Sequence, residues 1–362
     1  MKKILIVLLS IFSLLNASAL QEAIDNAKPG AVIKLSSGIY KGNLTINKPI
    51  SIIGVGKSVI IEGESKGSII TIDSSYVTIK NLDIRNSGER HDTLDAAIVM
   101  KKVKQCEISN NRITNALFGI DLQQVRNSII SNNYIESKDF ALGLRGDGIR
   151  LWYSNDNIVK GNHLYKSRDM VIWYSHGNTI ENNKGEYGRY SLHFMYAGKN
   201  IIKDNNYQYN SVGIFFMYSK DSIATNNSVK SSLGNTGMGI GLKEVSGFTL
   251  KNNTVIYNAR GLYIDRSPFD LDKRNEISNN NILYNTEAIH FHSINEQNDI
   301  TENIIMGNIE DIVNNTRGSK IYLNNWDNNY WDNYEGFDSN KDGIGDNSHK
   351  VYSYADKLWL YD

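Results

Sequence analysis

Asparagine pairs recur along this chain at nearly regular intervals, and this recurrence limits the fold more than any other feature of the sequence. The pairs are Asn110-Asn111, Asn132-Asn133, Asn182-Asn183, Asn205-Asn206, Asn226-Asn227 and Asn252-Asn253, followed by the run Asn279 to Asn281. Gly161-Asn162 fills the place between the second and third pairs. Counted from the second residue of each pair, the steps are about 22, 29, 21, 23, 21, 26 and 27 residues. A period of this size marks a solenoid, in which each unit buries its apolar side only against its neighbours.

The residues inside each period choose the kind of solenoid. One phrase is Asn-x-Ile, as in Asn127-Ser-Ile-Ile and Asn157-Ile-Val; another is Gly-Ile or Gly-Leu at Gly119, Gly148, Gly213, Gly239 and Gly261. Apolar and polar residues alternate over only a few positions, which is the period of a strand. Gly and Asn between them tolerate left-handed backbone at bends, and Asn side chains at equivalent corners can stack into hydrogen-bonded ladders. Only three prolines occur, as a chain needs if most of its N–H groups join ladders between coils. The fixed leucine framework of leucine-rich repeats is missing, and propeller blades need longer units of four strands. The expected fold is therefore all-β: a right-handed parallel β-helix with coils of about 21 to 27 residues. Its exposed ends need caps, and Leu20 to Ala27 reads as a short amphipathic helix closing the first coil. The expected organisation is a signal peptide over 1–19, the β-helix over 20–325, and an irregular aromatic cap over 326–362.

Lys2 and Lys3, the apolar run Ile4 to Leu15 and the small residues Ala17-Ser-Ala19 follow the order of a secretory signal peptide. The run is too short to span a bilayer, so an exported chain beginning near Leu20 is expected. Lys and Arg number 39, as do Asp and Glu, so the net balance offers no general attraction to nucleic acid or anionic lipid. Cys106 is the single cysteine; with no internal disulfide available it reads as a buried strand residue.

Gly54-Val-Gly-Lys57-Ser58 resembles the end of a phosphate-binding loop, but Ser51 stands where the first glycine is required and Val59-Ile60-Ile61 reads as a strand. It is expected to be a turn between the first two coils, leaving the chain with no nucleotide site. The central coils say more. Arg150-Leu-Trp152-Tyr-Ser, Val171-Ile-Trp173-Tyr-Ser, His193-Phe-Met195-Tyr-Ala and Phe215-Phe-Met217-Tyr-Ser follow one another at steps of about 21, 22 and 22 residues. Trp152, Trp173, Met195 and Met217 should then stack at one coil position, with Arg150 and His193 on the same side. Lys243, Asp265 and His292 extend the row, with Tyr263 and His290 in its neighbour. Leu151, Ile172, Phe194 and Phe216 supply an inward row, which leaves the Trp/Met row facing out. Such a surface suits a partner, and its thioether and imidazole groups suit Cu(I), with indole faces adding cation–π support. Of these two readings the contact surface stands slightly ahead.

A second group lies near the C-terminus. Asp338, Asn340, Asp342, Gly343, Ile344 and Asp346 match the first half of a calcium loop, with Ile344 contributing its carbonyl, whereas His349 occupies the place of the bidentate Glu. A calcium loop and a turn held by hydrogen bonds are both open, with Ca²⁺ the favoured reading.

Taken together, the leader, the Asn-rich coils, His193-Phe-Met195-Tyr-Ala and the ending Asn329-Tyr-Trp331-Asp…Asp342-Gly-Ile-Gly-Asp346 resemble the NosD family, periplasmic maturation factors of nitrous oxide reductase. The resemblance covers nearly all of the expected mature chain. It implies a non-catalytic protein that works beside an ABC transporter, with its membrane subunit and ATPase, and beside a copper-donating lipoprotein. It further implies transient handling of Cu(I) for nitrous oxide reductase, with Met195, Met217 and His193 touching copper or docking a partner and Trp152 and Trp173 supporting them. The rival is a polysaccharide lyase, epimerase or carbohydrate-binding protein on the same scaffold, for which Arg145, Asp147, Arg150 and Asp169 would be the candidates. The Asp-Pro-His-Asp phrase of alginate epimerases is missing. A passive surface protein is the third class.

Overall fold

The computed structural model describes residues 6–9, 17–316 and 320–351, the side chains from residue 19 onward. It falls into two compact units, Met1–Arg189 and Tyr190–Asp362. Each is a parallel β-helix whose coil has three short strands facing three sheets. In the first unit, one sheet stacks Ala96–Lys101, Phe118–Gln123, Ile149–Trp152 and Asp169–Trp173 in parallel. In the second, the corresponding sheet stacks Tyr190–Met195, Val212–Met217, Met238–Lys243, Arg260–Asp265, Glu287–His292 and Glu310–Asn314. These strands reach six residues, whereas most strands of the other two sheets have three or four.

Alternation fills the interior. Leu151, Ile172, Phe194 and Phe216 are all fully buried, as the inward row requires, and in the second unit Phe194 stacks on Phe216 at 4.8 Å. Cys106 is 2% exposed, and burial pushes its thiol pKa up.

The two members of an Asn pair do different work. The first takes the left-handed backbone of the corner, with φ between 54° and 56° at Asn110, Asn132, Asn182, Asn226, Asn252 and Asn279; Gly161 does the same at φ 64°. The second turns inward. The Asn133 backbone N–H and Nδ2 donate to Oδ1 of Asn162 at 3.0 and 2.9 Å, and Nδ2 also donates to the Ile108 carbonyl at 3.0 Å. Asn162 repeats the pattern with Asn183 and Ile130. In the second unit the ladder runs Asn205, Asn227, Asn253, Asn280, Asn303 and Asn329. One pair therefore needs correcting. Asn205, not Asn206, is the ladder residue, and Asp204 takes the corner at φ 58°; Asn206 opens the next strand, exposed.

The helix spans Ala17–Asn26, beginning ahead of the expected Leu20 and ending one residue before Ala27. Leu20 and Ile24, one turn apart, are 3% and 0% exposed. Gln21 closes the edge strand Leu44–Ile46: its Nε2 donates to the Thr45 carbonyl at 3.1 Å, and its Oε1 accepts the Thr45 N–H at 2.9 Å. Of the leader expected over residues 1–19, positions 1–5 and 10–16 lie outside the described residues; Ile6–Leu9 pairs in parallel with Val32–Leu35. The loop at Gly54 to Ser58 joins strands Ser51–Gly54 and Val59–Glu62, which belong to two sheets of one coil. It is a turn between strands of two sheets, at the corner that the Asn pairs occupy in later coils. No helix among the described residues is long and apolar enough to cross a membrane.

Candidate functional site

The outer side of the long-strand sheet carries the residues singled out above, described here unit by unit. In the first unit Trp152 lies in register with Trp173, and both are half-buried. The Arg150 guanidinium sits 6.0 Å from each indole ring, within reach of cation–π attraction. It is held there by Asp121, whose Oδ1 accepts from Nη1 at 2.9 Å, while Gln123 Nε2 donates to Oδ2 at 2.6 Å. Beyond the tryptophans, Tyr153 and Tyr174 stack at 4.9 Å with rings 7° apart. Both tyrosines occupy left-handed backbone at φ 49°, where a bulky side chain is strained. The result is an aromatic ridge around a fixed cation.

Each acid of the sugar-acting rival is held by an arginine. Asp147 accepts from Arg168 Nε and Nη2 at 3.0 and 2.9 Å, and Asp169 is clasped by Arg189 through Nε and Nη2. Arg145 donates to the carbonyls of Phe140 and Tyr187. Asp147 is buried, and that burial pushes its pKa up to about 6, against the opposing pull of Arg168 and with a further push from Asp169.

In the second unit Met195 lies in register with Met217, and His193 with Phe215. His193 is 6% exposed although it faces outward, because the Tyr190 ring covers it at 4.7 Å and Phe215 flanks it at 6.3 Å. Phe215 can lie across the next strand because Gly241 is bare; a Cβ there would meet the ring at 2.2 Å. This packing brings His193 Nε2 to 3.3 Å from Met217 Sδ. A tetrahedral late transition metal, with bonds of about 2.0 Å to nitrogen and about 2.3 Å to sulfur, sets its donors roughly 3.5 Å apart. The His193–Met217 pair is thus close to a bound-state spacing, with half-buried Met195 beside it on the same face. Toward later coils the row continues through Lys243, Asp265 and His292, as expected. Lys243 and Asp265 pair at 3.5 Å.

The C-terminal loop holds itself. Asp338 accepts the N–H groups of Asp342 and Gly343, Asn340 accepts that of Asp342, and Asp342 accepts that of Ile344. Asp346 accepts from the backbone and hydroxyl of Ser339. Among the described residues no group of three or more His, Cys, Asp or Glu side chains forms a metal-ligating set. Aromatic packing accompanies the loop: Phe291 meets Trp326, Trp326 meets Trp331, and Trp331 stacks on His349 at 4.6 Å.

Two contacts were invisible to strand alternation. Tyr190 on His193 and Glu287 beside His290 are both three residues apart, which strict alternation would send to opposite faces.

The family model described as "Periplasmic copper-binding protein (NosD)" matches residues 140–336, the stretch that contains both the Trp and the Met coils. A "Probable ABC transporter binding protein NosD" of Pseudomonas aeruginosa is 30% identical over 344 residues, covering 90% of this chain and 78% of its own. The protein of the same description from Stutzerimonas stutzeri is 28% identical over 351 residues, 91% of this chain and 78% of that one. Among solved structures, the A-module of a mannuronan C-5 epimerase from Azotobacter vinelandii superposes with a TM-score of 0.62 at 13% identity, over 87% of this chain and 94% of that chain. At that identity the likeness is one of fold alone.

Proposed function

The chain belongs to the NosD family of periplasmic copper-binding proteins, and from that premise we propose that it carries Cu(I) transiently on His193, Met195 and Met217 and hands it on during maturation of nitrous oxide reductase. An ABC transporter is the first partner in this reading, because the curated relatives are named as its binding proteins. Its ATPase supplies the energy, and a copper-donating lipoprotein brings the ion. Trp152 and Trp173, with Arg150 fixed between them, serve as a docking surface in the first unit. Copper is cargo here, not a catalytic cofactor, and the chain's part is to present soft donors at the surface of an exported scaffold. The C-terminal Asp338–Asp346 loop is a weaker second candidate, for Ca²⁺.

The observation that carries the copper reading is the 3.3 Å approach of His193 Nε2 to Met217 Sδ, a nitrogen and a thioether held where one ion can meet both. Cu(I) is the ion that such donors select. The test is the M195L/M217L double variant, which keeps the volume and removes the sulfur. Cu(I) affinity, read by competition with a chromogenic chelator, is expected to fall at least roughly tenfold, about 1.4 kcal/mol, and reductase maturation in the host to fall with it. Unchanged affinity with lost maturation would leave these residues a docking role only, and no change in either would sink the proposal.

A further inference from the structure

The long-strand sheet of the second unit carries another pair of imidazoles that the copper site does not use. His290 and His292 alternate on the strand Glu287–His292, so both rings leave the same face. Each ring is tied at Nδ1. His290 Nδ1 lies 2.5 Å from Glu287 Oε2, and that carboxylate also pairs with Arg260 at 3.3 Å. His292 Nδ1 lies 3.0 Å from Asn315 Oδ1. A carboxylate and an amide oxygen can only accept, so each ring donates its Nδ1 hydrogen, and Nε2 is the nitrogen left to meet a ligand. No hydrogen bond or ion pair reaches either Nε2 among the described residues.

Tyr263, in register with His290 on the neighbouring strand, faces both rings. Its centroid is 5.4 Å from His290 and 6.2 Å from His292, at inclinations of 29° and 22°. One ring nearly parallel to both keeps the two imidazoles close to a common orientation. Alternate residues of a strand are about 6.6 Å apart, a span that two imidazoles can close onto one ion through bonds of about 2.0 Å. An Nδ1–H anchored on a carboxylate, with Nε2 left open, is the arrangement found behind metal-ligating histidines.

We infer that His290 and His292 form a two-imidazole station for Cu(II), open to an exogenous third ligand. The strand of His290 lies three steps from that of Met217 in the same sheet, about 14 Å along it. The Lys243–Asp265 pair lies between the two and binds its own charges together. The stations differ in chemistry: the thioethers of the first select Cu(I), whereas imidazoles alone accept Cu(II). Only the choice of copper rests on the function proposed above; the anchored tautomers do not.

The test titrates the full chain, freed of metal, with Cu(II) and follows electron paramagnetic resonance and binding stoichiometry. One equivalent with nitrogen hyperfine structure is expected. H290Q/H292Q should lower Cu(II) affinity at least tenfold and remove that structure, and H292Q alone, at a half-buried surface position, should do much of the same without disturbing the packed Glu287 contact. M195L/M217L should leave the Cu(II) signal unchanged. A signal that survives H290Q/H292Q in folded protein overturns the station. Loss of the Cu(II) signal in that variant, alongside Cu(I) binding that M195L/M217L does not alter, would keep the station and remove the thioether site instead.

Discussion

Around the coil corners, asparagines with the same side chain meet opposite demands. Asn132 sits at φ 54°, a backbone region that Gly enters without strain. Asn162, deep in the ladder and 1% exposed, accepts from Asn133 and donates to Asn183 and the Ile130 carbonyl. Replacing it by Ala strands buried donors and an acceptor, each worth about 1–3 kcal/mol. N162A is therefore expected to lower unfolding stability by roughly 3 kcal/mol, whereas N132G should stay within about 0.5 kcal/mol of the parent. Urea unfolding of the two variants checks this, and equal losses would refute the division of labour. The same contrast explains why the ladder was misplaced at one coil. In Asp204-Asn205-Asn206 any of the three residues can take a left-handed corner, so composition alone cannot say which residue turns inward.

Among the elements, the strands were legible because their spacing is nearly constant. Steps of about 22 residues put Met195 over Met217, and the pairing observed is that one. Alternation also placed Phe194 and Phe216 inside and the methionines outside. What spacing could not reveal is how side chains lean between strands. The cover of Tyr190 over His193 depends on the bare Gly241, two coils later, letting Phe215 lie flat, and no local pattern encodes that. The helix Ala17–Asn26 was legible through Leu20 and Ile24, but its start was not, because the leader pattern claimed the same residues. Its role as a lid gives a prediction. Ile24 is fully buried against the first coil, so I24A is expected to cost about 2–4 kcal/mol and to expose the Leu44–Ile46 edge. A loss of that size accompanied by self-association in sedimentation supports the cap; a stable, monomeric variant would show that the edge protects itself.

At the scale of the whole molecule, the scaffold superposes on a sugar-modifying epimerase, a likeness of fold alone. Fold does not decide chemistry; the site does. Acid–base cleavage or epimerisation of a uronate needs carboxyl groups that can reach the substrate and exchange protons with it. Here Asp121, Asp147 and Asp169 are 0%, 3% and 2% exposed, each clasped by a different arginine from the next coil. The raised pKa of Asp147, about 6, would suit a general acid, but its carboxylate is buried and held by Arg168. Opening such a clasp leaves a buried charge uncompensated, at a cost of about 3–5 kcal/mol, so these acids act as rivets between coils. The purified chain is accordingly expected to release no unsaturated or epimerised products from mannuronan or polygalacturonate, as followed by ultraviolet absorbance and proton resonance. D169N should lower the melting temperature without changing that blank result. Turnover by the parent chain that D169N abolishes would move the active face from the methionines to the arginine clasps, and the copper proposal would have to give way.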